Sequence, residues 1–212
     1  MPSIDDIAAE YVERAAALDP CYATYAGIAG HDHELADLGA DGFAGRAGLD
    51  RSSLAALDAA EAPEPREQVA RAAMRERLAL AVECYDARDA TSKLNTINSW
   101  VQMVREGFDL MPTDGEEAAA SIARRMAAVP RACRQLSATL LDAARKGRCA
   151  ARRQVGEVAG QCAAWPGRGI PFIQDWPGGW PRSRTRCAGS WTRPRARLGP
   201  PRPSLAPSSA VS

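Results

Sequence analysis

The chain has 212 residues, with 27 Lys and Arg against 26 Asp and Glu, which at first sight describes one ordinary domain of balanced charge. The balance is a cancellation: residues 1–165 hold 25 of the acids and 19 of the bases (net −6), whereas residues 166–212 hold one acid, Asp175, and eight arginines (net +7). No window approaches the roughly 18 consecutive apolar residues of a membrane span, and the acidic start Met1-Pro2-Ser3-Ile4-Asp5-Asp6 is unlike a secretory leader, so the cytoplasm is the expected compartment.

Ala supplies 39 of the first 165 residues and strand signals are missing, so the expected fold is all-α, an incomplete array of about six to seven helices. Ser3 is placed as an N-cap with Asp5 and Asp6 in the positive first turn, followed by Ile4, Ile7, Ala8, Tyr11, Ala15 and Leu18 on one face. Pro20 helps to stop this helix. Gly27, Gly30, Gly39, Gly42, Gly45 and Gly48 predict an irregular loop over Thr24 to Gly48, long enough to be functional or packed on something. Asp50 is expected to cap a short helix through Ala60, with Pro63 and Pro65 separating it from a longer one. In that longer helix Met74, Leu78, Val82 and Tyr85 form a core-facing stripe, and Arg71, Arg75, Glu76 and Glu83 lie off it.

A further helix is placed at about 97 to 110 by its apolar spacing. Thr113-Asp114-Gly115-Glu116 has the capping-box pattern and predicts a helix to Val129. Pro130 is then read as the first residue of the next helix, which Gly147 closes in the left-handed conformation that only glycine adopts without strain. A last Ala-rich helix is expected from about Cys149 to Trp165.

After Trp165 these patterns stop. Residues 166–212 contain nine of the 15 prolines, no lysine and no asparagine, a composition that predicts a disordered basic tail. Its arginines interleave with Trp176, Trp180 and Trp191, which could contact phosphates and stack on bases. That gives one reading of the chain as a helical binding protein whose tail meets nucleic acid or an acidic partner. The favoured reading is a shift of reading frame, because a GC-rich coding region read out of frame yields this mixture of Arg, Pro, Gly, Ser, Ala and Trp.

Six cysteines, Cys21, Cys84, Cys133, Cys149, Cys162 and Cys187, contain no Cys-x-x-Cys pair, so they are expected to be reduced packing residues and no zinc knuckle or redox motif is assigned. The two histidines, His31 and His33, stand in His31-Asp32-His33-Glu34, four potential ligands in a row. Adjacent loop residues rarely converge on one ion and the helical His-Glu-x-x-His arrangement is absent, so the expectation is an exposed polar turn and no metal site. Asp5/Asp6 and Glu116/Glu117 are explained by first helical turns, where negative charge complements the helix dipole. Arg124/Arg125 and Arg152/Arg153 point about 100° apart on their helices and are read as solvated faces. No glycine-rich phosphate cradle is present. The chain is therefore assigned no catalytic, cofactor-binding or metal-binding residue.

Several stretches, taken as a set, carry a resemblance: Tyr11 to Asp19 with Pro20 and Ala23-Thr24, Gly27-Ile28-Ala29-Gly30-His31-Asp32, Phe108-Asp109-Leu110-Met111-Pro112, Arg125 with Ala128-Val129-Pro130, and Arg152-Arg153-Gln154-Val155 through Gln161 and Trp165. Over about residues 1–165 the chain resembles the N-terminal part of the bacterial domain of unknown function 885 (DUF885) family. The resemblance implies a longer helical protein similar to zinc metallopeptidases, in which a downstream His-Glu-x-x-Pro-Gly-His motif would hold the metal and activate water. This chain has no such motif and no third histidine. The expectation is a truncated N-terminal portion, without hydrolase activity or bound cofactor by itself, exposing apolar helix faces to a missing C-terminal half.

Overall fold

The structure is a computed structural model that describes residues 2–165. The tail 166–212, and the readings placed on it, lie outside the described residues. Among those residues there are eight helices and no strand: α1 (Ile4–Leu18), α2 (Pro20–Tyr25), α3 (Ala40–Ala59), α4 (Pro65–Asp86), α5 (Asp89–Ser92), α6 (Trp100–Asp109), α7 (Gly115–Arg145) and α8 (Arg152–Ala164). No helix among them is long and apolar enough to cross a membrane.

Ser3 caps α1 as its sequence position indicates. Its hydroxyl accepts from the Asp6 amide at 3.1 Å, and its own amide donates to the Asp6 carboxylate at 2.9 Å, so two orphan donors are satisfied reciprocally. Ile4 and Ile7 of α1 pack on Leu57 and Ala60 at the end of α3 and on Leu78 of α4. Leu78 is the buried centre of the α4 stripe, with Met74, Val82 and Tyr85 half-buried around it. Pro20 does more than end α1, because it also opens α2, where a missing N–H costs nothing and the Asp19 carboxylate accepts from the Tyr22 amide at 3.0 Å.

A second core joins Cys21 of α2, Leu35, Ala36 and Leu38 of the following loop, and Ala132 and Leu136 of α7, with Trp100, Val101 and Val104 of α6 packed against it. A third joins Phe108 and Met111 to Ile122. The contacts on α7 recur as Ile122, Arg125, Ala132, Leu136 and Ala143, all buried, which is the spacing of one helical face.

Four expectations need correction. The loop between Thr24 and Gly48 ends at Gly39, the N-cap of α3, so Gly42, Gly45 and Gly48 are helical. Gly42 is required by close approach: a Cβ there would stand 2.1 Å from the Asp37 carbonyl oxygen. Asp50 consequently lies inside α3 instead of capping it, and its carboxylate accepts from the Tyr11 hydroxyl at 3.0 Å. Thr113 and Glu116 form no capping box, because Asp114 precedes the helix without a side-chain cap bond and Gly115 opens it at φ +88°. Finally, α7 runs unbroken through Pro130. An interior proline costs about 3 kcal/mol, and burial of Ile122 and Arg125 on one side of it and Ala132 and Leu136 on the other holds the two halves in line. Gly147 ends α7 at φ +81° as expected, and α5 is a short extra helix.

The thiols are less buried than expected. Cys21 is buried and Cys84 half-buried, but Cys133, Cys149 and Cys162 are exposed; Cys187 lies outside the described residues. Burial nevertheless pushes the thiols of Cys21, Cys133 and Cys162 up, which lowers the thiolate fraction on which reactivity depends. Among the thiols of the described residues, a reagent added to the native full chain should therefore modify Cys149 first and Cys21 only on unfolding. Peptide mapping at early times checks this, and early labelling of Cys21 would contradict the packing.

Candidate functional site

The segment between α2 and α3 has no regular structure, so its backbone groups need partners from elsewhere. Arg125 on α7 supplies them. Its side chain is 0% exposed. Nε donates to the Glu34 carbonyl at 2.9 Å, and Nη2 donates to the Pro20 and His31 carbonyls at 3.2 Å each and to the Thr24 hydroxyl at 2.7 Å. Nη1 lies 3.5 Å from the Gly107 carbonyl of α6. One guanidinium thus ties α2, the loop, α6 and α7 together. The reading of Arg124/Arg125 as a solvated pair holds for exposed Arg124 and fails for Arg125.

No carboxylate touches Arg125 within ion-pair distance among the described residues. The Thr24 hydroxyl that accepts from it lies 2.7 Å from Asp32 Oδ1 and 3.1 Å from the Pro20 carbonyl. A hydroxyl has one proton to give, and the charged acceptor takes it. The positive charge is in this way relayed through Thr24 to Asp32. Burial lowers the Arg125 pKa, opposed by the charges of nearby groups that include Asp32, Asp19 and Glu34.

Lower on α7 the same face continues the binding of the loop. Gln135 donates to the Asp37 carboxylate at 2.7 Å and Thr139 to the Leu38 carbonyl at 2.8 Å. His31 Nδ1 lies 3.9 Å from one oxygen of Glu34, and His33 Nε2 lies 3.4 Å from the other. Asp32 is committed to Thr24, and no group of three or more His, Cys, Asp or Glu side chains able to hold a metal gathers among the described residues. Among the described residues, His31, His33 and Glu34 do not converge with a further donor as the three or four N, O or S ligands of a zinc ion do.

The carboxylate pairs also sit where the sequence places them, in the first turns of α1 and α7. Asp5 faces Arg66 at 3.0 Å and Asp6 is held by Ser3, which lowers its pKa. Arg152 and Arg153 are exposed.

A second arrangement was not foreseen from the sequence. A cavity of about 360 Å³ opens between α3, α4, α5 and α6, with Arg46, Asp50, Tyr85, Asp89, Lys93 and Trp100 in its lining. The Arg46 guanidinium stands 4.6 Å from the Phe43 ring centroid and 4.7 Å from that of Trp100, a cation held on two aromatic faces. Its Nη1 donates to the Asp37 carbonyl at 3.0 Å, and its buried Nη2 has no protein partner. Burial lowers the Arg46 pKa and raises that of Asp50 beside it.

Of the stretches that carry the sequence resemblance, those with Pro20 and Thr24, with His31 and Asp32, and with Arg125 meet in space at Arg125, whereas the stretch 152–165 lies elsewhere, with Gln161 bonded to Gln102 and to the Thr96 carbonyl. Pro20, Thr24, His31 and Asp32 all belong to them, and Gly107 directly precedes the Phe108 run. A family model described as a bacterial protein of unknown function (DUF885) matches residues 20–171. The chain belongs to the DUF885 family. The DUF885 match takes in α2 to α8 and the whole Arg125 cluster, and it starts after α1, which the sequence reading had included. No curated protein matches the chain.

Proposed function

We propose that this chain is the N-terminal helical portion of a DUF885 protein of metallopeptidase-like type, that it forms part of the wall around a substrate channel, and that it does not hydrolyse peptides by itself. The observation that carries the reading is the convergence of the resemblance-bearing residues Pro20, Thr24 and His31 on Arg125. Their common task, through backbone carbonyls and the Thr24 hydroxyl, is to hold a loop against α7, which is framework chemistry. The chemistry is then assigned to a His-Glu-x-x-Pro-Gly-His segment that this sequence does not contain.

Exposed apolar side chains support a role as one wall of a larger body. Val69, Leu80, Ile97, Leu110, Leu141 and Val155 are all exposed on the described surface. The change of composition after Trp165 supports a shift of reading frame there. The test is zinc analysis and peptide hydrolysis by the purified full chain, alone and co-expressed with a DUF885 segment that carries the zinc motif. The expected result is neither zinc nor turnover alone, and both with the added segment; stoichiometric zinc with turnover by the chain alone overturns the proposal.

A further inference from the structure

The cavity between α3, α4, α5 and α6 is lined by two pairs of opposite charge, each spaced i, i+4: Arg46 with Asp50 on α3, and Asp89 with Lys93 on α5 and its C-terminal flank. Pairs at this spacing are neighbours on a helix and commonly close. On the exposed surface they do so here, at Arg14–Glu10 (3.0 Å), Lys146–Asp142 (2.5 Å) and Arg105–Asp109. In the cavity neither pair closes an ion bridge among the described residues. Arg46 spends Nη1 on neutral carbonyls and leaves Nη2 without a protein partner. Asp50 has the Tyr11 hydroxyl on one oxygen, and the side chains of Asp89 and Lys93 make no hydrogen bond to a described residue.

One uncommitted positive group, Lys93, and two carboxylates therefore border one cavity, over a wall that includes Tyr85, Trp100 and Arg46, whose guanidinium is already held by carbonyls and rings and contributes its charge alone. The lining has no net charge, so a simple anion or cation would satisfy one pair of groups and meet like charge from the other. A molecule with both charges satisfies both. The volume is at the small end of the range for small-molecule sites, and an apolar wall with a few polar groups is their usual composition.

We propose that this cavity binds a small zwitterion with an apolar body, an aromatic α-amino acid being the simplest example. Its carboxylate faces Lys93, its ammonium faces Asp89 and Asp50, and its side chain lies along the wall beside Tyr85 and Trp100. The inference is independent of whether the chain takes part in hydrolysis.

The test is titration of the full chain with L-phenylalanine, hydrocinnamate and phenethylamine, three probes of one ring that differ in charge. The Trp100 indole resonance, assigned with Trp100→Phe, is the readout. L-Phenylalanine should bind about tenfold more tightly than either singly charged probe, a difference of about 1.4 kcal/mol. Lys93→Met and Asp89→Asn change exposed side chains and so leave the fold intact. Each should weaken L-phenylalanine several-fold; Lys93→Met should spare phenethylamine, and Asp89→Asn should spare hydrocinnamate. The proposal is overturned if L-phenylalanine leaves the Trp100 resonance unmoved, if either singly charged probe binds as tightly, or if both variants bind L-phenylalanine as the parent does.

Discussion

Arg125→Met should destabilise the native chain by about 3–5 kcal/mol, a loss large enough to be diagnostic of a broken buried network. Methionine keeps much of the stem but supplies no donor. The carbonyls of Pro20, His31 and Glu34 then lose the guanidinium; His31 keeps the Glu34 amide, and a carbonyl left buried and unpaired costs about 1–3 kcal/mol. Arg125→Lys should recover only part of this, because one ammonium cannot present the planar fork that reaches Glu34 with Nε and Pro20, Thr24 and His31 with Nη2. Thr24→Val removes the hydroxyl between Arg125 and Asp32 and should cost about 1–2 kcal/mol, at the scale of hydrogen bonds to charged groups. Since both substitutions break one network, the double variant should lose less than the sum. Urea denaturation followed by far-UV circular dichroism measures the four variants against the parent. Additive losses, or a loss below about 1 kcal/mol for Arg125→Met, would show that Arg125 does not organise the loop.

The helical class, α1 with its Ser3 cap, α4 with its Leu78 stripe and the Gly147 stop were legible because each rests on local chemistry: a hydroxyl three residues from a carboxylate, a 3.6-residue period, a glycine at a positive φ. What escaped depends on partners distant in sequence. Pro130 reads as a helix start by every local rule, and α7 passes through it because buried contacts on both sides outweigh the lost bond. Arg125 carried a usable signal, since it falls three residues after Ile122 and seven before Ala132, on the stripe that α7 buries; neighbouring Arg124 does not. An arginine on an apolar stripe announces a cluster of acceptors, and residues 26–39 are the longest stretch between helices among the described residues. The cavity gave no such signal. Arg46 and Lys93 are 47 residues apart, and only the packing of α3 against α4 and α6 brings their surroundings together.

Gly42→Ala should destabilise the chain by about 3 kcal/mol, the upper part of the usual range for overpacking, whereas Gly48→Ala in the same helix should stabilise it by about 0.5–1 kcal/mol. Both replace glycine inside α3, so helix propensity favours both equally. Surroundings decide the sign. At Gly48 an added Cβ meets nothing within 4 Å, but at Gly42 it would stand 2.1 Å from the Asp37 carbonyl oxygen and 2.7 Å from its carbon. That obstacle is backbone, and it is tied down: the carbonyl accepts from Arg46 Nη1, and the Asp37 carboxylate accepts from the Gly39 amide and from Gln135 of α7. Relieving the clash therefore means pulling the loop from α7 or Arg46 from the loop. The substitution should also displace the Arg46 guanidinium from the Phe43 and Trp100 rings, so the Trp100 indole resonance should shift in Gly42→Ala and stay in place in Gly48→Ala. If thermal unfolding finds the two variants equally stabilised, the close approach of Asp37 to α3 is wrong, and with it the reason for a glycine at position 42.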